Sequence, residues 1–257
     1  MQSSGLRQSL GVLACMCTWD TTVLDRWIWL SNALGPRQNC GPILDVGCGK
    51  GAFTIALSSR GFDVLGLTWS PEDQQISARR AKLCAVKSAN FEVQDIRTLL
   101  ERRDLFEKFE VAVCLEVIEH IIDDRKALDG IFACLQPGGY LFLSTPNLNY
   151  IPLGKNDWGP YEEIEDGRHV RKGYSREGLE TILKAAGFTD LEFSFCSGFF
   201  SQKITGFFRA CCKINKNLAR LLITPLRFLP FIFTEWFDRS INWPAYSICV
   251  VARKAKS

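Results

Sequence analysis

Apolar residues along this chain alternate between short continuous runs and longer stretches at helical spacing, which predicts strands and helices in turn. Thr21–Leu34 (TTVLDRWIWLSNAL) has the helical rhythm, and Gly35-Pro36 stops it. Ile43–Val46 is a short apolar run that opens into a glycine loop, followed by a helix over Ala52–Ser59 that Arg60-Gly61 ends. The pattern then repeats: strand Asp63–Thr68, helix Pro71–Ser88, strand Phe91–Val93 before Asp95, strand Phe109–Leu115 and helix Arg125–Leu135. A Pro137-Gly138-Gly139 turn leads into strand Tyr140–Ser144. Beyond a long polar and aromatic segment come helix Ser175–Ala186, strand Leu191–Cys196 and a last strand over Ala245–Ala252. Strands alternating with helices predict an α/β fold, doubly wound, with a mostly parallel seven-stranded sheet, helices on both faces and ligands at the carboxyl ends of the strands.

A length of 257 residues suits one domain. Within 1–257 the pattern divides into an N-terminal helical cap (1–38), a core (40–198), a helical insertion (199–244) and the last strand (245–254). The net charge of +3 hides an asymmetry: residues 201–257 carry ten Lys and Arg against two acids, so the remainder is mildly acidic. The basic residues of the insertion are interleaved with Phe, Trp, Leu and Ile instead of gathered in a polar groove, which argues against nucleic acid. Amphipathic basic helices of this composition suit peripheral membrane contact or lipid-like substrates, with a buried cap or dimer face as the alternative.

The eleven cysteines follow neither a zinc spacing nor a disulfide rhythm, so they read as reduced thiols in a cytoplasmic protein, with membrane association confined to the cytoplasmic face. The apolar run Leu10–Cys17 is too short for a convincing export signal, and no run is long enough to span a bilayer.

The chemistry concentrates in Asp45-Val46-Gly47-Cys48-Gly49-Lys50-Gly51, where glycines let the backbone turn tightly against a ligand. A nicotinamide site would carry GxGxxG and an acid closing the second strand, whereas this strand ends in Thr68.

Leu44–Gly51 resembles the first motif of the class I S-adenosylmethionine-dependent methyltransferases. Glu116-Val117-Ile118-Glu119-His120, the Pro137-Gly138-Gly139 turn and Ser144-Thr145-Pro146-Asn147 are similar to the ubiquinone-biosynthesis O-methyltransferases and their small-molecule relatives. The resemblance covers about residues 40–195. It implies a Rossmann-like sheet with its last strand antiparallel and S-adenosyl-L-methionine as cosubstrate. It places Asp45, Gly47, Cys48, Gly49 and Gly51 around the amino-acid part of the cosubstrate, Asp95 on the adenine amino group and Ile96 on the ring. Leu115 and Glu116 would border the methionine moiety. Where most of the family has an acid on the ribose, Thr68 stands here, as in the cyclopropane-fatty-acid and tocopherol-type enzymes, with Asp73 or Gln74 in reach to assist.

Methyl transfer to a hydroxyl needs alignment and a base, and histidine suits that task near neutral pH. The chain has two: His120, placed at the start of the helix after the fourth strand, and His169, in the long loop that should lie above the strand ends. Glu162, Glu163, Glu165 and Asp166 in that loop read as a solvated acidic turn, and no metal is expected. The implied acceptor is a small molecule or a lipid-linked phenol, quinone precursor or glycan hydroxyl. C-methylation of a lipid is the alternative reaction, and a non-catalytic scaffold of the same fold at a membrane the alternative class.

Overall fold

The computed structural model describes residues 21–35, 41–152, 159–161, 163–226, 237–238 and 240–256. Leu10–Cys17, Pro36, Trp158, Glu162 and the insertion between 227 and 236 lie outside the described residues. In chain order the elements are α1 (Thr21–Leu34), β1 (Ile43–Val46), α2 (Ala52–Ser59), β2 (Val64–Thr68), α3 (Pro71–Leu83), β3 (Ala89–Val93), β4 (Phe109–Leu115), α4 (Asp124–Cys134), β5 (Leu135–Pro146), α5 (Arg176–Ala185), β6 (Phe188–Cys196), α6 (Phe199–Cys212), α7 (Lys216–Leu226) and β7 (Ser247–Lys254).

Strand β1 is buried along its whole length because its alternate side chains feed two separate cores. Leu44 and Val46 join Leu67, Ala112, Cys114, Leu141, Leu143 and Val250 beneath Leu128 and Ile131 of α4 and Leu179 and Leu183 of α5. Ile43 joins Val64, Val111, Val113 and Phe142 beneath Leu30 and Leu34 of α1 and Leu57 of α2. Helices therefore cover both faces of one seven-stranded sheet, in the order β3-β2-β1-β4-β5-β7-β6. The strands pair in parallel except β7, which runs antiparallel between β5 and β6. Strand order reverses between β1 and β4, so the crevice at their carboxyl ends is the expected ligand site.

Several boundaries move. Helix α3 ends at Leu83, because the Cys84 cap and the positive φ of Ala85 (56°) turn the chain toward β3. The Pro137-Gly138-Gly139 turn lies inside β5, which already pairs with β4 at Leu135 and resumes its register at Tyr140. The last strand starts two residues later than expected, at Ser247, and runs to Lys254, which pairs with Phe188.

The insertion divides in two. Helix α6 is a cap: it buries Ser201, Gln202, Ile204 and Thr205, and Thr21 of α1 donates to the Ser201 carbonyl at 2.9 Å and sits 2.8 Å from the Thr205 hydroxyl. Gln202 donates to the carbonyls of Ser197 (2.9 Å) and Pro244 (2.7 Å), closing the base of the insertion. Helix α7 packs on α6 and buries only Ala219 and Ile223. Among the described residues no helix is long and apolar enough to cross a membrane.

Candidate active site

The glycine loop leaves β1 at the point where the sheet order reverses, and its three glycines have positive φ values of 75°, 49° and 75°. Their reasons differ. A Cβ on Gly47 would fall 2.4 Å from Val117 Cγ2, and one on Gly51 would fall 2.7 Å from Ser77 Cβ, so both sites are closed by the protein itself. A Cβ on Gly49 would meet no atom within 4 Å. Gly49 lines an open cleft shared with Gly47, Thr68, Asp95, Glu116 and His120, and a side chain there would project into space a ligand can take.

Behind the loop, Asp45 is 2% exposed and accepts a 2.5 Å hydrogen bond from Thr54 Oγ1 of α2. Burial pushes its carboxyl up to about 6, against the lowering effect of Thr54. Asp45 therefore pins α2 to β1 from beneath and is not on the cleft wall. Cys48 and Gly51 are likewise behind it, and burial raises the Cys48 thiol.

One side of the cleft is built by β2 and β3. Thr68 accepts from the Ser70 amide at 3.4 Å, and Ser70 caps α3 through the Asp73 amide. Trp69, beside it, is 57% exposed and lines the cleft with Asp73. Gln74 instead turns away, donating to the Phe91 carbonyl at 3.2 Å. Asp95 and Ile96 reach the cleft as a 3₁₀ turn (Ile96–Glu101) begins. Both Asp95 oxygens receive the Arg97 guanidinium, which holds this carboxyl below its ordinary range. Arg97 also donates to Glu165 at 2.6 Å, and Glu165 accepts from the Ile122 amide at 2.6 Å. The acidic turn is thus not merely solvated: Glu165 straps the long loop onto the Asp95 side of the cleft.

The opposite side is a polar knot around Glu116, a non-glycine residue at φ 57°. Its carboxylate accepts from Ser144 (2.9 Å) and Ser247 (3.0 Å) and pairs with Arg26 of α1 at 3.3 Å. Leu115 packs into the core below and does not reach the cleft.

His120 does not begin a helix. It closes a 3₁₀ turn (Ile118–His120), and α4 starts only at Asp124, where Asp123 provides the cap. The Val170 amide donates to the Glu119 carbonyl at 3.0 Å, which brings the long loop back onto this turn. His169 and His120 consequently meet edge to face, with ring centroids 4.6 Å apart. Beneath them Glu119 is fully buried, with one carboxylate oxygen accepting from Thr145 at 3.1 Å and the other 3.8 Å from His120 Nε2. Burial, reinforced by Glu116, raises the Glu119 carboxyl. Donor atoms of Glu119, His120 and His169 all lie within 4.8 Å of one another, an oxygen and nitrogen set that suits a divalent cation where none was expected.

A family model described as a methyltransferase domain matches residues 24–192. The chain belongs to the methyltransferase-domain family. This methyltransferase domain is 32% identical over 108 residues to the ubiquinone biosynthesis O-methyltransferase of Coxiella burnetii, covering 42% of this chain and 44% of that protein. The chain thus spans about half the length of the curated relatives it matches. Among solved structures it is similar to the [4+2]-cyclase SpnF (TM-score 0.60, 18% identity, 89% of this chain and 80% of that one). It is also similar to an S-adenosylmethionine-dependent methyltransferase from Archaeoglobus fulgidus (TM-score 0.57, 16% identity, 89% and 94%). At such identities the likeness is one of fold.

Of the residues singled out in the sequence, Gly47, Gly49, Thr68, Asp73, Asp95, Ile96, Glu116 and His120 line the cleft, while His169 packs on His120 outside the lining. Trp69, Gln94, Arg97, Val117, Ile121, Glu165 and Gly167 line it too and were not anticipated. Trp69 and Arg97 are close neighbours of anticipated residues at strand ends, a signal available in the sequence. Arg26 and Glu165 come from distant segments and carried none.

Proposed function

We propose that this domain transfers a methyl group from S-adenosylmethionine to a hydroxyl of a small aromatic acceptor, free or lipid-linked, of the phenol or quinone-precursor kind. The observation that carries this reading is one cleft lined by the open glycine loop, by Asp95 and Glu116 on its two sides and by His120, with His169 packed against His120 just outside the lining. The cosubstrate is cationic at its sulfonium and ammonium, and Asp73 offers negative charge on the cleft wall, while Asp95 and Glu116 offer carboxylate acceptors already paired with Arg97 and Arg26. Gly49, with no atom where its side chain would be, supports close backbone approach of the amino-acid end. When bound, the cosubstrate supplies an already activated methyl group.

The chain's own residues then have two tasks. The glycine loop, Asp95 and Glu116 hold the donor in line, which is where most of the rate enhancement for such a transfer arises. His169, set against His120, takes the proton of the acceptor hydroxyl. The C. burnetii relative is a ubiquinone biosynthesis O-methyltransferase, which favours an oxygen as acceptor atom. The test is transfer of labelled methyl to a panel of catechols and prenylated phenols by the wild type and by His169→Ala. Transfer to none of them, with the cosubstrate bound, would sink the acceptor assignment.

A further inference from the structure

Helix α7 presents its apolar residues in an unusual direction. It has an inner face, Ala219 and Ile223, packed away from solvent, yet Leu218, Leu221 and Leu222 stand on the outside at 50%, 71% and 43% exposure. Ile214, in the turn before it, is 86% exposed, and Phe207 of α6 is 46% exposed. Positions 214, 218, 221, 222 and 225 repeat at helical spacing, so they form one outward stripe rather than scattered apolar residues. Contiguous exposed apolar surface of this kind marks an interaction site.

The charges identify the partner. From Phe199 to Leu226 the chain carries five basic residues, Lys203, Arg209, Lys213, Lys216 and Arg220, and no Asp or Glu. Lys203 lies over the rings of Phe199 and Trp243, while Lys213 and Lys216 are exposed beside the stripe. A second copy of the chain meeting this surface symmetrically would set the same basic residues against one another, which opposes association. An anionic bilayer satisfies both features: acyl chains take the leucines, and headgroups take the lysines.

We propose that α7, together with Ile214, is a docking surface for an anionic phospholipid bilayer. The surface connects to the cleft through packed elements. Helix α7 rests on α6, α6 is bonded to Thr21 of α1, and α1 carries the Arg26 that pairs with Glu116 on the cleft wall. Docking therefore orients the cleft with respect to the membrane, where a lipid-linked acceptor would be presented. The proposal itself stands independently of the methyltransferase reading, because vesicle binding needs neither cosubstrate nor acceptor.

The test is co-sedimentation of the full chain with phosphatidylcholine vesicles, with and without phosphatidylglycerol, at low and high salt. Binding that requires phosphatidylglycerol and weakens with salt is expected. Lys213→Gln with Lys216→Gln should lower the affinity roughly thirtyfold, at about 1 kcal/mol for each lost charge. Leu218→Ser with Leu221→Ser should abolish binding while S-adenosylmethionine titration and the melting curve stay at wild-type values. If that variant misfolds, the lysine pair, on the solvated surface, decides. Absence of wild-type binding to anionic vesicles overturns the proposal, as does undiminished binding by both variants. A wild-type dimer that the leucine substitutions dissociate, without vesicle binding, would assign the face to a second copy instead.

Discussion

His120 and His169 pack edge to face at 4.6 Å between ring centroids, one on the 3₁₀ turn after β4 and the other on the loop after β5. The contact exists because the Val170 amide bonds to the Glu119 carbonyl, so the turn fixes the loop and the loop completes the pair. His169→Ala should lower kcat by about 10²–10⁴-fold, the usual contribution of a positioned base, with S-adenosylmethionine affinity unchanged in calorimetry. If the pair acts as a unit, adding His120→Ala costs little more. An unchanged kcat would return His169 to a surface role.

The three loop glycines give distinguishable outcomes. Gly47→Ala drives a Cβ to 2.4 Å from Val117 and should lower stability sharply as well as binding. Gly49→Ala meets no protein atom and costs about 1–2 kcal/mol for its positive φ. It should nonetheless weaken S-adenosylmethionine at least about tenfold, since the methyl group enters ligand space. Paired thermal melts and titrations check this, and wild-type affinity in Gly49→Ala would mean that the ligand does not touch the loop there.

Asp45 makes a pH prediction. Its folded carboxyl is raised to about 6 while an unfolded aspartate titrates near 4. The folded chain binds this proton more tightly, so the stabilisation is complete below about pH 4 and is lost as pH rises through about 6. The upper bound is about 3 kcal/mol for a fully buried group. Asp45→Asn keeps an oxygen for the Thr54 hydroxyl and removes the charge, so its melting temperature should exceed that of wild type at pH 8 and vary less between pH 4 and 6. Parallel pH dependences in the two proteins would contradict this account.

Arg97 links Asp95 to Glu165, and through it the β3 side of the cleft to the long loop after β5. Its side chain is 40% exposed, so Arg97→Ala should cost under about 1 kcal/mol in global stability. Limited proteolysis between residues 159 and 172 should accelerate, and the KM for S-adenosylmethionine should rise. Unaltered cleavage would show that the strap does not hold the loop.

Much of this fold was legible in the sequence because parallel strands are buried on both faces and announce themselves as apolar runs punctuated by Gly and Pro. Gly47 and Thr68 were placed at their strand ends from local pattern alone. The direction in which a side chain points was not legible: Asp45 sits in the signature loop yet turns to Thr54. Nor were contacts that need a loop to fold back, such as Glu165 on Arg97 and His169 on His120, since their formation depends on tertiary bonds with no sequence period. The insertion's composition announced amphipathic helices, and only packing separates α6, the cap, from α7, the exposed face.

Calorimetric titration of wild type and Gly49→Ala with S-adenosylmethionine decides whether the cleft between β1 and β4 holds the methyl donor. Micromolar binding by wild type, about −8 kcal/mol, is expected, with a loss of at least about tenfold in the variant with its fold intact. No binding by a folded wild-type protein would contradict it.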